Sequence, residues 1–194
     1  MLSKEGKTMG IACLFGHKWQ GCKCEKCGAT RDKGHDWDFN KCKNCGKEWI
    51  ADRDGPELER KLLSQNDLVG RAMILQTLPQ AALIYLAENS TNFSVVDMAI
   101  PKITDEDQIV RIALKRGNRD ISYKAVIFAD KIENIEKFVN DTNSSVSSFA
   151  KEKLEAAKLV TKEEIEDYIS RHRYSMNGSV ENYLKKRLKD MEQN

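Results

Sequence analysis

Eight residues near the amino end carry metal-ligating chemistry at ligand-like spacing: Cys13, His17, Cys22, Cys24, Cys27, His35, Cys42 and Cys45. All six cysteines of the chain lie between Cys13 and Cys45. With nothing to suggest secretion, such clustering points to thiolate ligation rather than to disulfides. The segment is internally duplicated with a spacing of 18, so that His17 maps to His35, Trp19 to Trp37, Cys24 to Cys42, Cys27 to Cys45 and Gly28 to Gly46. Each copy reads H-x-W and then C-x-x-C-G. A C-x-x-C turn sets two thiolates on one side of a tight knuckle at the separation a tetrahedral ion requires, and the glycine after it lets the backbone turn with positive φ.

Two histidines and two knuckles leave Cys13 and Cys22 to be placed, and one added to each copy completes two four-coordinate sites. We expect Cys13, His17, Cys24 and Cys27 to hold one ion, and Cys22, His35, Cys42 and Cys45 a second. The competing arrangement is a single ribbon site of Cys24, Cys27, Cys42 and Cys45, which needs only one ion. Iron also accepts thiolates, but the two histidines favour zinc. Full Cys/His coordination leaves no open position at which water is activated, so the expected role is structural. So short a segment has too little apolar area to fold alone, and metal binding would supply its folding energy.

The same head carries a second reading. Residues 1–50 have a net charge of +4 and the remainder −2, and Lys18, Lys23, Lys26, Arg31, Lys41 and Lys43 with Trp19 and Trp37 are the residue types that grip phosphates and stack on unpaired bases. Against it, both tryptophans keep strict phase with the ligands, as does a residue packed over its own knuckle. Over the whole chain, 32 basic and 30 acidic residues nearly cancel, which gives no argument for a strongly electropositive nucleic-acid binder.

Beyond the head, residues 51–56 (ADRDGP) have the charge and the Gly-Pro pair of a linker. From residue 57 a period appears. Asn66, Asn92, Asn118 and Asn143 recur at spacings of 26, 26 and 25; Val69, Val95, Ile121 and Val146 stand three residues later, and Met73, Ala99, Ala125 and Ala150 four further on. Each set reads as a helix face behind a capping residue. A second set of helices between them is marked by Ile84, Ile109 and Ile135 and by Ala87, Ile112 and Phe138. Two short helices per repeat, with small residues at the approach, predict a mainly α fold: a short α-solenoid over residues 57–160 behind a zinc-binding knuckle module over residues 1–50. Residues 161–194 are expected to be capping helices. Thr161 and Glu164 have the spacing of a capping box ahead of Ile165, Tyr168 and Ile169, and Val180, Leu184, Leu188 and Met191 form a last amphipathic stripe.

The segments NSSVSSFA and NRDISYKA resemble the cue of HEAT-like repeats, a polar turn followed by a β-branched residue and then alanines. The units are shorter than the ~40 residues of standard HEAT repeats. Gly70, Val96, Ser122 and Ser147 stand where that family often has arginine. The resemblance implies a protein-binding scaffold, and the pairing of a Cys/His module with repeats is similar to uncharacterised bacterial proteins. We therefore expect a protein partner, with nucleic acid at the basic zinc head as the alternative. No run of residues reaches the ~20 apolar positions of a membrane span, and a cytoplasmic protein is expected. Of the three histidines, two are assigned as ligands, and His172 lies in a basic cluster from Arg171 to Tyr174. No nucleophile–base pair or phosphate-cradling loop is evident, so no enzymatic activity is expected.

Overall fold

Two short antiparallel hairpins precede ten α-helices in the computed structural model, which describes residues 17–31 and 34–193. The chain divides into two compact units, one ending at Lys102 and the other beginning at Ile103. Among the described residues, no helix is long and apolar enough to cross a membrane.

In the first unit, strand β1 (Trp19–Gln20) pairs with β2 (Lys23–Cys24), and β3 (Trp37–Asp38) with β4 (Lys41–Cys42). The registers are identical under the duplication: Trp19 stands opposite Cys24 and Trp37 opposite Cys42. Helices α1 (Ala51–Leu63), α2 (Leu68–Gln76), α3 (Gln80–Asn89) and α4 (Phe93–Ala99) follow, and a 3-10 turn over Ile100–Lys102 closes the unit. Helix α1 packs on α3, and α2 on α4.

Residues 51–56, expected as a linker, are instead the first turns of α1. The Gly-Pro pair misleads because Gly55 is there for close packing: a Cβ on it would lie 2.4 Å from the Tyr85 ring of α3. The Asp54 carboxylate accepts from the Ile50 N–H at 2.8 Å and so secures the helix start. The second hairpin docks on α3. The Phe39 carbonyl accepts from Ala81 N–H at 3.4 Å, and the buried Trp49 meets Tyr85 edge-on at 5.8 Å.

The second unit consists of α5 (Glu106–Arg116), α6 (Arg119–Phe128), α7 (Ile132–Glu136), α8 (Ser144–Lys158), α9 (Lys162–His172) and α10 (Gly178–Gln193). Consecutive helices pair as α5/α6, α7/α8 and α9/α10, while α5 packs on α7, α6 on α8 and α8 on α10.

The even-numbered helices share one register. Asn92, Asn118 and Asn143 each place a side-chain oxygen on the amide three residues on, that of Val95, Ile121 and Val146. Those three residues are buried, as are Ala99, Ala125 and Ala150 seven residues after the cap. In α2 the expected frame is one residue early. The cap is Asp67, not Asn66, and accepts from Gly70 N–H; one residue is 100° of helix, which turns Val69 and Met73 out to solvent and Leu75 in. In α3 the expected frame is instead one residue late: Leu83 and Leu86 match Ile109/Ile112 and Ile135/Phe138, and Ile84 is half-buried. At the other end the frame runs further than the period suggests. Asn177 accepts from Ser179 N–H at 2.9 Å, with Val180 and Leu184 buried three and seven residues later. The longer α8, 15 residues against 10 in α6, carries this unit beyond the period of 25–26 residues. Helix α9 carries the full capping box, Glu164 N–H to Thr161 Oγ1 at 3.2 Å and Thr161 N–H to Glu164 Oε2 at 3.0 Å.

Cations ten residues after the cap tie successive even helices together. Lys153 Nζ, buried in α8, donates to the Val126 and Ile127 carbonyls of α6 at 2.8 and 2.7 Å. Arg187 of α10 donates in the same way to Ala156 and Ala157 of α8 and to Leu159 just beyond it. Carbonyls at a helix carboxyl end lack intrahelical donors and carry partial negative charge, so a cation from the next helix satisfies both needs.

Burial pulls the Lys153 pKa down from 10.5 to about 8, although Asp130 and Glu106 oppose the shift. The unfolded chain therefore binds this proton more tightly, and stability rises with pH between about 8 and 10.5. Denaturant melts of wild type and Lys153→Met across that window should show wild type gaining up to about 3 kcal/mol relative to the variant. Parallel curves would show that Lys153 does not titrate in this way. Gly55→Ala should cost about 1–3 kcal/mol through overpacking on Tyr85, read as a lowered melting temperature; an unchanged one would mean that the ring moves aside freely.

Candidate metal centre

Each C-x-x-C knuckle is built by a hairpin and one tight turn. Cys24 and Cys42 lie in the second strand of their hairpins. Gly28 N–H returns to the Cys24 carbonyl at 2.9 Å and Gly46 N–H to that of Cys42 at 2.8 Å, and both glycines have φ of +72°. The duplication holds bond for bond: Cys24 N–H reaches Ala29 O and Cys42 N–H reaches Lys47 O, while Arg31 N–H reaches Cys22 O and Trp49 N–H reaches Asn40 O, all at 2.8 Å.

These turns bring together two groups of potential ligands among the described residues. Cys22, His35, Cys42 and Cys45 have their ligand atoms within 4.8 Å of one another, as do His17, Cys24 and Cys27. Cys13, expected beside the latter three, lies outside the described residues. The cysteines of the two knuckles stand in separate groups rather than in one ribbon site. Cys22 Sγ is 3.4 Å from Cys42 Sγ. His17 Nδ1 is 3.4 Å from Cys27 Sγ, and His35 Nδ1 is 3.5 Å from Cys45 Sγ. Ligands about 2.3 Å from a tetrahedral ion are separated by about 3.7 Å, so the four-residue group has the size such an ion needs. All five described cysteines are thiols.

The electrostatics of the two groups fit a cation. Burial raises the Cys24 thiol, but the backbone N–H of Cys27, His17 and the backbone N–H of Lys26 outweigh it and hold the pKa at about 6. Cys42 is likewise held at about 6, with burial opposed by Cys45 N–H, His35 and Asn44 N–H. Cys22 lies the other way. Burial first, and then hydrogen bonding to Cys42 and Cys45, push it up to about 12. Without a cation, this cluster keeps the Cys22 thiol protonated beside the Cys42 thiolate; a bound ion would displace that proton, as metal ligation by thiols does.

Cys22 comes from the first hairpin although its group belongs to the second, so one centre spans both copies. Gly21 and Gly34 make this approach possible. Both have positive φ, and a Cβ on Gly21 would sit 2.6 Å from the Gly34 carbonyl oxygen. Sequence reading passed over both, since neither belongs to the C-x-x-C-G pattern. Phe39 occupies the turn position equivalent to Gly21 and also has positive φ, +49°.

The basic and aromatic residues of the head are largely engaged locally. Trp19 packs on the His17 ring at 4.9 Å and Trp37 on His35 at 4.8 Å. Arg31 lies over Trp19 at 4.8 Å and donates from Nε to the Gly21 carbonyl. Lys18 pairs with Glu25 and Lys41 with Glu48, while Lys23, Lys26 and Lys43 are exposed. In the second unit, His172 stacks on Tyr168 at 4.2 Å and bonds its carbonyl. The protein matches no family model, no curated protein and no solved structure.

Gly21→Ala should displace Cys22 and weaken retention of one ion by at least tenfold in chelator competition. Gly46→Ala, whose Cβ meets nothing within 4 Å, should show only the cost of a left-handed residue, about 1–2 kcal/mol. Equal losses in the two variants would refute the special role of the Gly21–Gly34 approach.

Proposed function

We propose that this protein is a zinc-binding protein-interaction scaffold: a Cys/His module held by two structural ions, followed by HEAT-like helical repeats whose surface receives a partner. The observation that carries the metal half is the convergence of Cys22, His35, Cys42 and Cys45 within 4.8 Å. Soft thiolates with one imidazole suit zinc. Four protein ligands leave no place for a reacting water, and this supports a structural ion in a protein without enzymatic activity. The second ion would be held by His17, Cys24 and Cys27 with Cys13 as fourth ligand.

The scaffold half is supported by the shared register of the even helices and by the stacking of α2 with α4 in the first unit and of α6, α8 and α10 in the second, the organisation through which short repeats build extended binding surfaces. Local pairing of Lys18 and Lys41, and the packing of Trp19 and Trp37 on the ligand histidines, favour a protein partner over nucleic acid. The reducing environment that such thiols require is that of the cytoplasm.

Native mass spectrometry of protein purified without chelator should find two zinc ions per chain, and Cys22→Ser should retain one. One ion in wild type would favour a single shared site, and a folded protein free of metal would overturn the proposal.

A further inference from the structure

Helices α8 and α10 of the second unit each contact the preceding even helix through one face, and among the described residues α2 leaves the equivalent face exposed. The direction is set by ring contacts in the second unit. Phe149, six residues after the α8 cap, stacks at 4.5 Å on Tyr123 of α6. Tyr183, six after Asn177, lies under Lys153 of α8. Ser145, two residues after its cap, lines a cavity of about 380 Å³ whose other walls, including Tyr123 and Ile127, come from α6. Positions two and six therefore face backward along the stack.

In α2 these positions are Val69 and Met73, exposed by 70% and 63%, beside Leu68 at 62%. At position two the other even helices carry Ser94, Asp120, Ser145 and Ser179, so the fold itself does not ask for an apolar residue there. An apolar pair four residues apart on an open helical face is a recognised form of helix-docking surface.

We infer that the α2 face formed by Leu68, Val69 and Met73 binds an amphipathic helix of another protein, which stacks on α2 as α6 stacks on α8. This rests on the scaffold reading above. The occupant follows from continuity with the stacking interface: the missing neighbour of an even helix is another helix, presenting an aromatic or aliphatic side chain where Tyr123 meets Phe149. A second copy joined head to tail does not suit. Helix α10 exposes Asn182, Lys185 and Lys189, and setting Lys189 and the Lys185–Glu181 ion pair against Val69 and Met73 would move charge out of water onto an apolar face.

The test uses the full zinc-loaded chain and a fluorescently labelled peptide with the sequence of residues 118–131, which contains α6 and its Tyr123. A peptide of this length must order on binding, so the affinity will be modest, on the order of 10–500 μM by anisotropy. Val69→Ser with Met73→Lys installs residues that equivalent positions already carry, Ser145 and Lys124, and so keeps the fold, which circular dichroism checks. Binding should fall at least tenfold in this double variant and be unaffected by Ser145→Lys. Binding equal in wild type and the double variant would overturn the α2 assignment while leaving a scaffold that binds elsewhere. No binding at millimolar peptide would overturn the stacking-helix occupant. A wild-type dimer in sedimentation velocity that the double variant abolishes would replace it with a second copy.

Discussion

No element of this protein can bury its own apolar surface, and every part of the architecture answers that constraint. The strands are two residues long, and most helices run for two to four turns. Isolated helices of this length are marginal in water, so each must be completed by a neighbour. Within each helical unit the neighbours are an adjacent helix in the chain and the next helix of the same parity. In the amino-terminal module apolar area is too scarce even for that, and convergent thiols and imidazoles take its place.

The two solutions meet at one residue pair. Trp49 follows the second knuckle by four positions and rests on Tyr85, while Tyr85 fills the space left by Gly55. The second C-x-x-C turn is thereby linked to the packing of α1 on α3. In the helical part the same economy operates with charge: Lys153 and Arg187 satisfy carbonyls that their preceding helices leave open. Glu106 does comparable work at the other helix end, accepting from the amides of Asp130 and Lys131 and from Asn134.

Much of this was legible in the sequence, because ligand spacing and capping chemistry are local. The duplication of 18 and the C-x-x-C-G pattern located the turns that gather the cysteines. The asparagines located three helix starts, and Thr161 with Glu164 a fourth. What escaped detection depended on tertiary approach. Gly55 has the composition of a linker until Tyr85 is seen against it, and Gly21 has no meaning without Gly34. Asp67 and Asn66 are both good caps, and only packing chooses between them; that choice decides whether Val69 or Leu75 faces inward. Lys153 looks like a surface residue of an amphipathic helix, since nothing in a linear pattern shows that its ammonium reaches the end of another helix.

The borrowed ligand also sets a rule for how such a module grows. Each hairpin turn offers the position after its left-handed residue to the copy that follows: in the first copy that position is Cys22, and in the second it is Asn40, whose carbonyl keeps the same backbone bond. An amide side chain is a poor substitute for a thiolate toward a soft ion, so a third 18-residue copy would find no donor extended to it. Asn40 works as the end group of a two-membered polymer. Extending the array on the same plan would need a thiol at position 40.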